Sequence, residues 1–185
     1  MVKAETWSWS EEAFIRAWEA GVFGDQRVEM VQGEVWPVSI GPWHGIVAAR
    51  LIRALPEDGW QVTLATLPAV GSLPDPDAWV MRRGAEPVSR LGETGRLARW
   101  SPADVALVVE ISDTSLFVDT EVKSKVYGAA GYPVYWVLHR GGAEVFTDPF
   151  EAGYRRRDHV PNDGELPVPY ANVRLAVADI LDAPE

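Results

Sequence analysis

The amino-acid sequence predicts one α/β domain, spanning residues 1–185, in which helices flank a mixed β-sheet. An almost wholly apolar and mostly β-branched run over residues 105–111 is typical of a central strand that is buried on both faces. Helical and extended patterns follow one another in the order α, ββ, α, ββ, β, α, ββ, which favours a mixed sheet with helices packed against it. A hydrophobic content of 47% is ample for one core.

The N-terminal third of the chain is predicted to form two helices and a hairpin. A capping serine followed by two acids begins a helix after Ser10, and Gly21 ends it. Apolar residues alternate over residues 27–39, which predicts a hairpin with Glu29 in its first arm. Apolar residues spaced four apart predict a second amphipathic helix over residues 44–55.

The rest of the chain is predicted to supply most of the strands. Strands are predicted at residues 61–67, 68–72, 78–81, 105–111, 134–139, 143–147 and 154–157. A helix is predicted over residues 120–130, and residues 173–181 are predicted to be a strand or a short helix. Residues 82–102 are polar and carry five arginines against two glutamates, which predicts a long irregular loop.

Composition and short motifs argue against several classes of function. The net charge of -10 argues against broad, unspecific nucleic-acid binding, because a basic surface is the usual footprint of such proteins. The sequence contains neither a Gly-x-Gly-x-x-Gly motif nor a P-loop motif, so it gives no signal for a dinucleotide or P-loop site. It has no cysteine and three widely spaced histidines, a pattern that predicts no zinc site.

The sequence also predicts a cytoplasmic protein without a membrane span. No apolar run approaches the roughly 20 residues that a membrane-spanning helix needs. The N-terminal residues Met-Val-Lys-Ala-Glu-Thr-Trp lack the apolar core of a signal peptide.

Acidic and basic side chains near strand ends form the strongest candidate site. Glu110 interrupts the apolar run, and a carboxylate there is costly unless it is paired, protonated or bound to a cation. A buried pair with an arginine is one interpretation. The other is a site that combines Glu110 with Asp77, with Lys123 or Lys125, and with Glu29. Two carboxylates beside a lysine suit a hard divalent cation such as Mg²⁺ and a phosphodiester substrate.

Five blocks of sequence follow one another in a characteristic order. They are a Glu-containing hairpin (28–35), a histidine at a helix start (His44), a Pro-Asp before a strand (Pro76-Asp77), the strand 104–112, and the series Asp119, Lys123, Tyr127, Gly131, Tyr135 and Trp136. In this order and spacing the blocks resemble the bacterial Uma-two family of the PD-(D/E)XK nuclease superfamily. The resemblance covers roughly residues 11–181. It implies a restriction-endonuclease-like fold, with a mixed sheet flanked by helices and catalytic carboxylates on neighbouring strands.

The resemblance also implies a metal site. Asp77 and Glu110 would hold Mg²⁺ or Mn²⁺, and the Ile111 carbonyl would be a third ligand. The chain has two successive Pro-Asp pairs, so Asp75 remains an alternative to Asp77 as the first ligand.

The catalytic lysine departs from the simplest superfamily pattern. That pattern places lysine two residues after the glutamate, where this chain has Ser112, and the family pattern points instead to Lys123 in the following helix. Lys125 should face elsewhere, because residues two apart do not share a helix face. Glu29, His44 and Lys125 are retained as additional candidates.

The expected function is that of a magnesium-dependent endonuclease that hydrolyses DNA by in-line attack of a metal-activated water. Lys123 would position the nucleophile. A homodimer is expected, because cutting both strands of a duplex needs two sites. The alternative is a nuclease-fold protein that no longer cuts and acts as a binding or assembly module, which the acidic net charge favours.

Overall fold

The computed structural model describes residues 7–182 of the chain. The α-helices in this part are α1 (Glu11–Glu19), α2 (Pro42–Ala54), α3 (Ser124–Ala129) and α4 (Val177–Leu181). The strands are β1 (Val28–Val31), β2 (Glu34–Pro37), β3 (Trp60–Thr63), β4 (Ala78–Arg82), β5 (Ser89–Leu91), β6 (Leu97–Arg99), β7 (Val105–Ser112), β8 (Val134–His139), β9 (Gly142–Phe150), β10 (Gly153–Val160), β11 (Glu165–Pro167) and β12 (Arg174–Ala176). A 3₁₀ turn (Pro102–Asp104) precedes β7, and a π-helix (Val118–Lys123) leads directly into α3.

A six-stranded mixed sheet forms the centre of the fold, with the strand order β10-β9-β8-β7-β4-β3. β7 and β8 are parallel, and the other neighbouring strands are antiparallel. A parallel pair needs a crossover connection, which the π-helix and α3 provide here. All eight residues of β7 are buried, as expected for a central strand that is covered on both faces. The predicted mixed sheet flanked by helices is therefore confirmed.

The two faces of β7 belong to different parts of the core. Leu107 and Val109 pack in the cluster that contains residues of α2 and α4. Val108 packs in the cluster that contains Tyr127 of α3. Because side chains alternate along a strand, Glu110 lies on the same face as Val108, the face that α3 covers.

Two strands predicted in the first half of the chain differ in the structure. The strand predicted at residues 61–67 is β3, which ends at Thr63. The next residue, Leu64, is exposed, and the backbone N–H of Leu67 bonds to Pro74 instead of to a sheet neighbour. Residues 68–72 form a turn that is closed by a bridge between Ala69 and Ser72, so the strand predicted there was wrong.

Residues 82–102 are not the irregular loop that their polarity predicts. They contain the β5–β6 hairpin, and the side chain of Glu19 in α1 binds the turn of this hairpin. The Glu19 carboxylate accepts hydrogen bonds from the backbone N–H groups of Glu93 and Thr94 and from the Thr94 hydroxyl, at 2.6–3.1 Å. A contact between segments so distant in the sequence leaves no local pattern, which is why the prediction was wrong here.

The helices also differ in detail from the predicted ones. The helix predicted at residues 120–130 is a π-helix followed by α3. Residues 173–181, predicted to be a strand or a short helix, contain both β12 and α4. None of the helices within residues 7–182 is long and apolar enough to cross a membrane.

Candidate functional site

A cavity of about 440 Å³ opens where β7 ends. Its walls come from the β1–β2 hairpin, the start of α2, the segment before β4, and the loop and π-helix that follow β7. Six acidic side chains line it: Glu29, Asp75, Asp77, Glu110, Asp113 and Asp119. Lys123 and His44 line it as well. This concentration of ionisable groups at the end of a central strand makes the cavity the candidate site.

Glu110 is the buried centre of the site, with 4% of its surface exposed. Its Oε1 accepts hydrogen bonds from Lys123 Nζ at 3.0 Å and from the Tyr127 hydroxyl at 2.8 Å. Burial raises the pKa of Glu110 well above its ordinary value, Lys123 opposes this rise, and neighbouring carboxylates add to it. The buried acid is therefore paired with a lysine and a tyrosine, and the interpretation that paired it with an arginine was wrong.

Lys123 reaches Glu110 from the last turn of the π-helix. π-Helices are rare and are frequently found at functional sites. The Lys123 Nζ atom also lies 2.9 Å from Glu29 Oε1 and 3.7 Å from Asp119 Oδ1. Burial alone would lower the pKa of Lys123, but the three surrounding carboxylates outweigh burial and raise the pKa. The surrounding carboxylates therefore favour the charged ammonium form of Lys123.

Asp77 lies immediately before β4, and its carboxylate connects three elements of the fold. Its Oδ2 accepts a hydrogen bond from the backbone N–H of Ile111 at 2.7 Å, which places the side chain beside the end of β7. Its Oδ1 lies 2.9 Å from Nε2 of His44, in the first turn of α2. The other ring nitrogen of His44 is buried and has no hydrogen-bond partner within residues 7–182. His44 is thus placed to orient Asp77.

Glu29 and Asp75 form the wall next to the β1–β2 hairpin. Glu29 contacts Lys123 through Oε1 and accepts a hydrogen bond from the Asp75 backbone N–H through Oε2 at 3.1 Å. The Asp75 carboxylate is paired with the guanidinium group of Arg27. Both Pro-Asp acids are therefore engaged by neighbouring groups, and of the two it is Asp77 that lies directly beside the end of β7.

The cavity holds more negative than positive charge. Arg27 pairs with Asp75, and Arg140 pairs with Asp113 at 3.0 Å, so these two acids are balanced by exposed arginines. The other four carboxylates face one ammonium group, that of Lys123, which contacts three of them. When all four are ionised, an excess of three negative charges remains. Such an excess is costly in a buried site unless acids are protonated or a cation binds.

The oxygen donors present fit a hard divalent cation. Magnesium is bound by one or two carboxylates and keeps several waters, and Asp77, Glu110 and the Ile111 carbonyl can supply such a set. Within residues 7–182, the acids of this cavity do not form a group of three whose ligand atoms all lie within 4.8 Å of one another. Water or substrate oxygens would therefore complete the coordination.

The structure brings most of the predicted site residues together. The residues that line the cavity are Asp77, Glu110, Ile111, Lys123, Glu29 and His44, together with Asp75. Lys125 is not among them: it is exposed and lies against Gly153 of β10, as its offset of two residues from Lys123 predicts. Lys125 is therefore removed from the candidate site, and the chemical roles of the others stay predictions.

Sequence reasoning gave no site role to Asp119, Tyr127 or Asp113, which the structure places in or beside the cavity. The positions of Asp119 and Tyr127 could have been predicted, because these residues lie four before and four after Lys123 and so share its helix face. Asp113 contacts Arg140, which is distant in the sequence, and no local pattern marks that pair.

Comparisons with known proteins agree with this architecture. The structure is similar to the crystal structure of a protein from Anabaena variabilis ATCC 29413 described as "a putative nuclease belonging to DUF820", with a TM-score of 0.63 and 15% identity, covering 85% of this chain and 91% of that chain. This likeness confirms the predicted nuclease-like fold. No curated protein matches the chain. The Uma2 family, described as "Putative restriction endonuclease", matches residues 12–178. Because this match spans most of the sequence, the chain belongs to the Uma2 family, which is the Uma-two family that its motifs resemble.

Proposed function

We propose that this protein is a metal-dependent endonuclease that hydrolyses DNA phosphodiester bonds. The observation that carries the proposal is the cavity at the end of β7, where three carboxylates surround a single buried lysine and a fourth, that of Asp77, lies beside the end of the strand. Phosphodiester hydrolysis needs positive charge at the reacting phosphate. The excess of carboxylates in this cavity would attract a cation that supplies this charge. The family description and the nuclease neighbour support nucleic acid as the substrate.

Asp77 and Glu110 are the proposed ligands of Mg²⁺ or Mn²⁺, with the Ile111 carbonyl as a third. Restriction-endonuclease-like proteins generally use divalent metals, and a bound cation lowers the pKa of a coordinated water and offsets charge on the phosphate. Lys123 and Tyr127 both contact Oε1 of Glu110, which leaves Oε2 for a ligand.

Lys123 is proposed to donate a hydrogen bond to the attacking water or to a phosphate oxygen. The surrounding carboxylates raise its pKa and favour the ammonium form, which suits a hydrogen-bond donor rather than a base. Glu29 and Asp119 contact the same nitrogen atom and are proposed to position it.

Two arginines at the cavity are suited to contact the DNA backbone. Arg27 and Arg140 reach the lining acids Asp75 and Asp113, and more than half of each arginine side chain is exposed (55% and 54%). The guanidinium group of Arg140 lies over the Trp43 ring at 4.6 Å, which limits its conformational freedom. Although their paired acids balance their charge, the exposed guanidinium groups retain N–H donors that can contact phosphate oxygens where DNA approaches.

Cleavage of supercoiled plasmid DNA in the presence of Mg²⁺ or Mn²⁺ tests the proposal. Asp77→Asn and Glu110→Gln should each lower the cleavage rate by about 100-fold or more, since each removes a carboxylate charge that would hold the metal at the reacting phosphate. Glu12→Gln, at an exposed ion pair with Arg16, should cleave at the wild-type rate. Undiminished cleavage by a folded Glu110→Gln protein would contradict the assignment. If the folded wild-type protein cuts no DNA, this result would instead support the alternative function, that of a binding or assembly module.

A homodimer with two such sites is part of the proposal, because one site cuts one strand at a time. Sedimentation analysis of the protein bound to a short duplex should give two chains per duplex. One chain per duplex, together with nicking of only one strand, would contradict the dimer and leave the hydrolytic proposal intact.

A further inference from the structure

A second cluster of ligating side chains lies on the β9–β10 side of the sheet, outside the acidic cavity. Within residues 7–182, His139, Glu144 and His159 form the group of three whose ligand atoms all lie within 4.8 Å of one another. Glu144 Oε1 lies 2.8 Å from His159 Nδ1 and 3.5 Å from His139 Nε2. We infer that these three side chains form a binding site for Zn²⁺.

The pairing of strands, rather than spacing in the sequence, assembles this cluster. Glu144 of β9 stands opposite His159 of β10 on one side and opposite Val137 of β8 on the other. His139 follows Val137 by two residues, so its side chain lies on the same face of the sheet. The widely spaced histidines predicted no zinc site, but three adjacent strands bring two of them together with an acid.

The chemistry of the donors suits zinc better than magnesium. Zn²⁺ is bound by histidine nitrogen and carboxylate oxygen, and sites with three protein ligands keep a fourth position for water. Magnesium, in contrast, prefers oxygen ligands, which the acidic cavity supplies. The guanidinium group of Arg157 donates to Glu144 Oε2 at 2.8 Å, which orients the carboxylate and leaves Oε1 as the donor. His159 is half exposed and gives an ion a path into the site.

The ring of His139 gives independent support for a ligand role. Its Nε2 is buried and has no hydrogen-bond partner within the part of the chain that the structure describes. Its Nδ1 accepts a hydrogen bond from the Gly141 backbone N–H at 3.1 Å, which places the ring proton on Nε2 in the metal-free protein. Binding of zinc to Nε2 therefore requires a proton on Nδ1 instead, and the Gly141 N–H must turn away. The Gly141-Gly142 pair has the backbone freedom for that movement.

The zinc site is separate from the proposed catalytic site, although both lie on the same face of the sheet. Glu110, Val137, Glu144 and His159 stand in one row across β7, β8, β9 and β10. Glu110 and Glu144 are thus two strands apart, or about 10 Å. Paired catalytic metals lie about 3.5–4 Å apart, so a zinc ion at Glu144 is not a second catalytic ion.

Calorimetric titration of the untagged protein with Zn²⁺ tests this inference. The wild type should bind one ion at this site, and His159→Gln, a substitution at a half-exposed side chain, should raise the Kd at least about tenfold. Asp77→Asn should bind this ion as the wild type does, because it alters only the acidic cavity. Unchanged zinc affinity in His159→Gln, or loss of zinc binding in Asp77→Asn instead, would overturn the inference.

Nitrogen NMR of the imidazole rings provides a second readout, since the chain has three histidines. Zinc should shift Nε2 of His139 and Nδ1 of His159 and should move the ring proton of His139 to Nδ1. The ring signals of His44, in the acidic cavity, should not change. An unaltered His139 ring at saturating zinc, or a shift of His44 in its place, would overturn the assignment.

Discussion

The ammonium nitrogen of Lys123 lies 3.0 Å from Glu110 Oε1 and 2.9 Å from Glu29 Oε1, so one side chain connects the π-helix to β7 and to β1. Removing one partner of a buried ion pair leaves the other charge uncompensated, which costs more than the pair contributes to stability. Lys123 therefore serves the stability of the fold as well as the proposed chemistry, and measurements of stability must accompany measurements of cleavage.

Replacement of the buried lysine should destabilise the protein in a pH-dependent way. Lys123→Met should lower the free energy of unfolding by about 3–5 kcal/mol near neutral pH, because Glu110, Glu29 and Asp119 lose their shared cation. Burial already raises the pKa values of Glu110 and Asp119 against the opposing effect of Lys123, so without that cation these two pKa values rise further above those of the unfolded chain. Groups with raised pKa values destabilise the fold while they are ionised, so the lost stability should return as the pH falls and they take up protons.

Urea unfolding at about pH 7 and about pH 5 measures this effect. Lys125→Met is the matched control, since Lys125 is exposed, and it should change the free energy of unfolding by less than about 0.5 kcal/mol. An equal loss of stability at both pH values in Lys123→Met would show that its cost does not come from unpaired carboxylates.

The hydroxyl of Tyr127 should contribute measurably to stability through its hydrogen bond to Glu110. Tyr127→Phe leaves a buried acceptor with one donor fewer, and we expect a loss of about 1–3 kcal/mol in the free energy of unfolding. Tyr170→Phe is the control, because the Tyr170 hydroxyl has no hydrogen-bond partner within residues 7–182 and its removal should cost little. Similar losses for the two variants would count against a specific role of the Tyr127 hydroxyl.

The arginines at the cavity should determine how binding to DNA depends on salt. In a Glu110→Gln background that does not cut, Arg27→Gln and Arg140→Gln should each reduce the slope of log affinity against log salt by about one. Arg174→Gln, at an exposed pair with Glu165, should leave that slope unchanged. Fluorescence anisotropy with a labelled duplex measures the slope, and equal slopes in all variants would place the DNA elsewhere on the surface.

The contact of Glu19 with the β5–β6 hairpin should contribute stability that is lost in acid. The hydroxyl and backbone N–H of Thr94 hold the pKa of Glu19 below its ordinary value of 4.5. A carboxyl group with a lowered pKa stabilises the fold above its ordinary pKa, and this contribution disappears as the pH falls through the folded-state pKa. Glu19→Gln should therefore lower the thermal midpoint near neutral pH, and its difference from the wild type should shrink at about pH 3. A difference that does not change with pH would contradict this account.

Local patterns in the sequence were sufficient to predict the centre of the fold. The apolar run at residues 105–111 predicted β7 to within one residue, because burial on both faces imposes a pattern that few other elements share. The same run marked Glu110 as an acid that needed a partner. Because Lys125 follows Lys123 by two residues, the sequence predicted that their side chains lie on different faces of the helix. In the structure Lys123 is buried and Lys125 is exposed.

Features that depend on contacts between distant segments were not predictable in this way. A π-helix and an α-helix share nearly the same apolar pattern, so the π-helix that carries Asp119 and Lys123 had no separate signal. The cluster of His139, Glu144 and His159 exists only through the register of three strands.

Calorimetric titration with Mn²⁺, on the wild type and on Glu110→Gln, tests the central claim most directly. Mn²⁺ prefers oxygen ligands and so reports on the acidic cavity rather than on the histidine cluster. The account predicts one Mn²⁺ ion bound at the cavity in the wild type and a Kd at least about tenfold higher in folded Glu110→Gln. Equal Mn²⁺ affinity in the two proteins, or no binding to the wild type, would contradict a metal site at Glu110.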